Sequence, residues 1–178
     1  MTRIEPHMKA SLKDHVLVWL DAGKDVKAAY LKKPGEGRMM SCLITFTPEG
    51  IVIQGDLTPG RLGNVSMQGY GLEWFAGPLS EDYLCEKFLE KRFSKERTVE
   101  AIKETIISRR REGKIHREFA RELWDGIPGG DEADASDFYY FITMDLGGDS
   151  EDMRQDYDPA EAGWLCAIQK RFSDLYNE

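Results

Sequence analysis

Seven carboxylates crowd into seventeen residues near the end of this chain: Asp145, Asp149, Glu151, Asp152, Asp156, Asp158 and Glu161. Oxygen ligands at this density are what a hard cation such as calcium or magnesium requires, but their order lacks the central glycine and terminal glutamate of an EF-hand loop. The spacing therefore assigns no metal site, and a solvated loop followed by helix-capping acids accounts for the same residues. The histidines are no more organised. His7, His15 and His116 stand apart from one another and from any acid and nucleophile at a recognisable spacing. His116-Arg117-Glu118 matches the H-x-E half of a zinc-deaminase signature without the P-C-x-x-C half. Gly60-Arg61-Leu62-Gly63-Asn64 lacks the lysine and hydroxyl of a phosphate-binding loop, and Gly69-Tyr70-Gly71 lacks the third glycine of a dinucleotide fingerprint. No residue qualifies as catalytic, cofactor-binding or metal-ligating, no cofactor is expected, and the balance leans away from an enzyme.

Charge placement is more informative than any motif. From Asp131 to Glu161 there are eleven Asp or Glu residues and one cation, Arg154, whereas Lys87 to Arg121 holds twelve Lys or Arg against six Glu. Like charges in sequence raise the local potential and steer whatever binds. A net charge of -8 and a pI near 5.0 argue against general nucleic-acid affinity, which needs clustered cations to displace counterions. In the basic stretch, Glu100 and Glu104 lie at distances suited to pairing with Lys103 and its neighbours, so a salt-bridged helix face is expected there. Arg109 to Arg111 fall in a last helical turn, where cations complement the helix dipole.

At 178 residues the length fits a single domain spanning 1–178. Cys42, Cys85 and Cys166 are too few and too scattered for a disulfide framework, which fits a reducing cytoplasm. No targeting segment or membrane-spanning run is expected.

The elements that would position these residues follow from periodicity. Ser11 with Leu12, Val16, Trp19 and Leu20 predicts a first helix, and Val26, Ala29 and Tyr30 a shorter helical turn ending before Pro34. Cys42, Ile44 and Phe46, then Pro48-Glu49-Gly50, then Ile51 to Ile53 predict a β-hairpin near 41–56. Asp56 to Gly63 reads as loop and Val65 to Gln68 as a short third strand. Leu72 to Phe75 forms an aromatic turn. Helices are expected from Ser80 to near Phe93, from Ser94 or Thr98 to Arg111, and from Ile115 to Trp124. The run 138–144 suits either a buried strand or a capped helix, with helix preferred. Asp158 as cap, Pro159 at the first helical position and Glu161 at the third start a final helix carrying Trp164, Leu165, Ile168, Phe172 and Leu175 inward. The fold class is α+β: a small antiparallel β-sheet packed with several helices, and a helix-rich C-terminal half. Trp19, Trp124 and Trp164 are read as core. Trp74, between glycines, is the candidate for an exposed aromatic anchor, although burial is the commoner fate of such a ring.

The segments Ile44-Thr45-Phe46-Thr47-Pro48-Glu49-Gly50-Ile51 through Gly55-Asp56, Gly69 to Gly77, Ser80 to Leu84, and Tyr157-Asp158-Pro159 through Gln169 resemble accessory proteins carried by tailed bacteriophages and prophages. That family has no activity to transfer. The resemblance implies an accessory role in the cytoplasm of a bacterial host, where small acidic phage proteins block defence by occupying a nucleic-acid-binding surface. Joined to the charge placement, it predicts a protein that binds a host protein or complex with a basic surface, an inhibitor of a CRISPR-like defence complex. The surface would comprise Asp149, Glu151, Asp152, Asp156, Asp158 and Trp74. Two alternatives stand beside it: a divalent-metal-dependent enzyme acting on nucleotides or nucleic acid, and a nucleic-acid binder using the basic helix 103–121.

Overall fold

A computed structural model describes residues 4–35, 40–57, 71–130, 132–149 and 152–178, and the backbone of 61–63. The fold is α+β, and the chain packs as two compact units: 1–90 together with 157–178, and Lys91–Asp156. A single domain over 1–178 thus has to accommodate two hydrophobic cores.

The first unit contains a five-stranded antiparallel sheet in sequential order, β1 (Val16–Leu20), β2 (Lys27–Lys32), β3 (Cys42–Thr47), β4 (Gly50–Gly55) and β5 (Arg61–Gly63). The predicted hairpin is β3–β4. Its register opposes Ile44 to Ile53 and Phe46 to Ile51, so the period-two pattern puts Cys42, Ile44, Phe46, Ile51 and Ile53 in the core. Thr47 Oγ1 accepts from the N–H groups of Glu49 and Gly50, each at 3.2 Å, and fixes the turn. Gly55 closes the hairpin opposite Cys42 with a φ of 143°. A Cβ there would fall on the Ser41 carbonyl, so only glycine fits.

Two predicted helical segments are strands. Val16-Leu17-Val18-Trp19-Leu20 matches a helical period at Val16, Trp19 and Leu20, but five consecutive β-branched, aromatic and aliphatic residues favour the extended chain once β2 is there to pair with. Likewise Lys27 to Lys32 carries Ala29 and Leu31 onto the face shared with Ile44 and Cys42, a pairing that a helical turn would forfeit. The first helix, α1 (Pro6–Leu12), lies earlier than expected. Ser11 is inside its last turn, donating to the His7 carbonyl at 2.9 Å instead of capping. Arg61–Gly63, read as loop, adds the fifth strand; the strand expected at Val65 to Gln68 lies outside the described residues.

The sheet unit also holds α2 (Leu72–Ala76), α3 (Glu81–Phe88) and α7 (Pro159–Tyr176). Ser80 caps α3, which ends at Phe88, short of the expected Phe93. On α7, Asp158 accepts from Ala160 and Glu161 N–H at 2.9 and 3.0 Å, with Pro159 at the first helical position. Its face Leu165, Ile168 and Phe172 is buried, and α7 packs against α1, α2, α3 and β1. Phe172 lies 5.5 Å from Phe46 and 5.3 Å from Phe75 between ring centroids, joining helix to sheet. A polar stripe one turn apart on α7 serves α2. Gln169 Nε2 donates to the Phe75 and Gly77 carbonyls at 2.8 and 3.1 Å, Ser173 Oγ to Ala76 at 2.7 Å, and Asn177 Nδ2 to Ala76 at 3.1 Å. Helix C-termini leave carbonyls without intrahelical donors, and these three side chains supply them.

The second unit contains α4 (Lys95–Arg111), α5 (Arg117–Asp125), α6 (Ala135–Tyr140), which continues as a π-helical turn over Phe141–Asp145, and a short ladder of β6 (Arg92–Phe93) with β7 (Gln155–Asp156). The helix preferred for 138–144 is present, begun by an Asp134–Asp137 capping box. Ile102, Ile106, Leu123, Phe138, Phe141, Ile142 and Leu146 form its core. Buried Thr98 donates to Ser94 O at 2.7 Å and accepts from Arg154 N–H at 3.0 Å, which ties the start of α4 to the acidic segment. Replacing Gln169 by Met keeps the side-chain size and strands two buried carbonyls. We expect a loss of about 1–3 kcal/mol of stability, read from chemical denaturation midpoints; an unchanged midpoint would show that α2 does not need this cap.

Candidate functional site

The predicted acids are divided between the two units. Asp149 is exposed, and its N–H donates to Asp152 Oδ2 at 3.1 Å, so Asp152 closes a turn. Asp156 sits on β7 and pairs with Arg97 Nε at 2.9 Å. Glu151 lies outside the described residues. Asp158 caps α7 in the other unit, and Trp74 is in that unit too, half-buried on α2 against Phe75, Tyr83 and Phe88. Among the described residues no three His, Cys, Asp or Glu side chains converge where they could hold a metal ion.

The basic helices also have structural duties. Arg109 donates to the Leu146 carbonyl at the end of the π-helical turn. Lys103 Nζ lies 5.2 Å from the centre of the Trp124 ring, and no ion pair joins it to Glu100 or Glu104. Besides Arg97 with Asp156, Lys114 pairs with Glu112 and Arg121 with Asp125. His116 Nδ1 accepts from Phe119 N–H at 3.1 Å and caps α5. His15 is buried, with Nε2 2.6 Å from the Met40 carbonyl as its donor.

What the structure does gather is a groove in the second unit between α5 and the α6–π segment. Two adjoining depressions of about 580 and 420 Å³ share Gly126, Phe141 and Asp145. Glu132, Asp137 and Tyr140 line the first, and Phe119, Glu122 and Met144 the second. Neither is lined by a single Lys or Arg, and among the described residues no cation pairs with Glu122, Glu132 or Asp145. Tyr140 is 62% exposed and Met144 66%, with Phe119 and Tyr139 exposed beside them. Such large apolar side chains at a surface, rimmed by acids, have the composition of a protein-binding patch. A Cβ at Gly126 would meet the Glu122 carbonyl at 3.2 Å, tighter than ordinary contact, and the Phe141 ring at an ordinary 3.5 Å.

Phe138, Phe141 and Ile142, at ordinary helical spacing, fill the inner face and leave Tyr139, Tyr140 and Met144 outside; the wider i→i+5 winding, with Leu146 N–H donating to Phe141 O at 2.9 Å, then brings Leu146 inward and leaves Asp145 exposed. The sequence held a signal for this: 138–144 carries more aromatic and apolar residues than one buried helix face can take. Trp19 and Trp124, read as core, are both exposed, Trp19 at the edge strand β1 and Trp124 under Lys103.

A family model described as a phage family matches residues 63–176. The chain belongs to this phage family. The match takes in α2 to α7 and every residue lining the groove of this phage protein, and leaves β1 to β4 outside it. No curated protein and no solved structure matches the chain. No helix among the described residues is long and apolar enough to cross a membrane.

Cys42 offers no activated thiol. Burial pushes the Cys42 thiol up from its ordinary 9.0 to about 12, which keeps it protonated and unreactive. Cys85 and Cys166 face one another across α3 and α7 at 3.9 Å between sulfurs, without a disulfide. Because the unfolded chain ionises Cys42 first, the stability tied to this group is complete below pH 9 and declines as pH rises toward 12. Cys42→Ala should therefore flatten the alkaline fall of stability relative to the parent; equal slopes in denaturation series across that range would contradict the buried, neutral thiol.

Asp158 allows a separation of roles. Asp158→Ala should cost about 1 kcal/mol through the lost cap, whereas Asp158→Asn, which still accepts from the same N–H groups, should stay within a few tenths, both read by thermal unfolding.

Proposed function

We propose that this phage protein acts by binding a host protein that presents a basic, partly apolar surface, and that the bound partner is a component of a bacterial defence complex. The observation that carries the reading is the groove of the second unit, where exposed Tyr140, Met144 and Phe119 adjoin Glu122, Glu132 and Asp145 without a neighbouring cation. Rings and a thioether accept the aliphatic stems of Lys or Arg, and the carboxylates meet their charged heads. Electrostatic complementarity of this kind steers encounter and rejects acidic surfaces, nucleic acid among them. Exposed Asp149 and Asp152, on the same unit, add negative charge to it. A defence complex that grips nucleic acid through a basic groove is a partner of matching charge, and occupying that groove would inhibit it. The site of action is then the host cytoplasm.

The test has two arms. Tagged protein is used to recover partners from lysate of the bacterial host, with the parent, a carboxylate variant (Glu122→Gln, Glu132→Gln, Asp145→Asn) and an apolar variant (Tyr140→Ala, Met144→Ala). Retention of one specific basic protein should fall about tenfold or more in both variants, and in the parent as salt is raised. Equal recovery from all three at low and high salt would end the groove reading. In the second arm, phage lacking the gene should plate poorly only on hosts with an intact defence system; equal plating on defence-deficient and defence-proficient hosts would remove the inhibitory role.

A further inference from the structure

We propose a second binding site on the first unit: a cleft between α1 and α7 that takes a small amphiphilic anion, a carboxylate carrying a short aliphatic body. The sequence prepares it on two helices. Along α1, Met8 and Leu12 turn inward while Lys9 and Lys13, one turn apart, stay outside. Along α7, Ala167 is buried and Lys170, Arg171 and Asp174 follow on the adjoining turns. These residues enclose a cleft of about 330 Å³ floored by Ile4, Leu12 and Ala167.

Its charge is opposite to that of the molecule. In a chain of net charge -8, four cations and a single carboxylate line this cleft. Asp174 is occupied by Lys170, at 2.7 Å. Lys9 and Lys13 have no carboxylate partner among the described residues. Arg171 Nη2 donates to the His15 carbonyl at 2.7 Å, which holds the guanidinium in place, yet its Nε–H is shielded from solvent and has no acceptor. That buried Nε–H is out of a ligand's reach; the charge an anionic head would meet is that of the exposed Lys9 and Lys13 ammonium groups beside the guanidinium.

The size selects the body of the ligand. About 330 Å³ is at the small end of ligand pockets and, at the ~30 Å³ a water-sized group occupies in a liquid, holds on the order of ten non-hydrogen atoms. A peptide helix or a folded partner is too large to enter. An uncharged hydrocarbon would leave the lysines and Arg171 unanswered, and a bare inorganic anion would leave the apolar floor wet. A medium-chain carboxylate satisfies both.

The test is a titration of the full-length protein with decanoate, and separately with decanol and with inorganic phosphate, followed by the methyl resonances of Ile4, Leu12 and Ala167. Decanoate should produce saturable shifts confined to these residues, decanol and phosphate much weaker ones. The exposed substitutions Lys9→Gln and Lys13→Gln together should weaken decanoate about tenfold without altering the free spectrum elsewhere, and added salt should weaken it further. Equal response to decanol, shifts spread over other surfaces, no saturable response, or unchanged affinity in the lysine variant would each overturn the proposal. The readout is on the first unit alone, so it stands or falls independently of the groove on the second.

Discussion

The packing of Phe172 on Phe46 and Phe75 is the contact on which the sheet unit depends. It joins the last helix to the third strand and the second helix, three segments separated by much of the chain, and α1, α2 and α3 all pack against α7. Contacts of such sequence separation are entropically slow to form and are rewarded only when the aromatic burial is complete. The polar stripe of Gln169, Ser173 and Asn177 makes the same helix specific as well as sticky, because only one register of α7 brings all three donors to the end of α2. The buried face of the sheet is covered by α7 together with Phe75 of α2.

How far the chain could be read in advance follows from how local each determinant is. The final helix was legible from Asp158, Pro159 and Glu161, because a cap, a first-turn proline and an apolar stripe act within one segment. The β3–β4 hairpin was legible for the same reason. Val16 to Leu20 and Lys27 to Lys32 were not, because their helical spacing is a property of the segment, whereas their strand conformation is decided by partners across the sheet. Gln169 gave no sign of its role, since the carbonyls it serves lie in another helix. The groove was half visible: the excess of aromatic residues in 138–144 could be counted and helical spacing turns Tyr139, Tyr140 and Met144 outward, but the placing of Leu146 inside and Asp145 outside depends on the π turn, and that turn is held by Arg109 from a different helix.

The charge asymmetry divides along similar lines. Asp158, Asp156 and Asp152 each hold a backbone or a cation in place, and Arg109 is committed to a helix end, so much of the apparent field is spent on structure. What remains uncommitted is smaller and better placed: Glu122, Glu132 and Asp145 beside exposed rings on one unit, Lys9 and Lys13 beside an apolar floor on the other. Unpaired charge next to apolar surface is more informative than charge density, because a solvated run of acids needs no partner while such a juxtaposition leaves surface poorly satisfied by water.

The ladder of β6 with β7 brings the two ends of the second unit's chain together. Arg92 lies opposite Asp156 and Phe93 opposite Gln155, so the segment between them leaves and rejoins the rest of the chain at neighbouring points, about 5 Å apart for paired strands. A segment with adjacent ends can be lengthened or trimmed without rerouting the chain on either side of it. The aromatic groove lies wholly between these ends, whereas the five-stranded sheet and the last helix lie outside them, so a change of length or sequence around the groove need not disturb the register of the sheet or the polar stripe of α7.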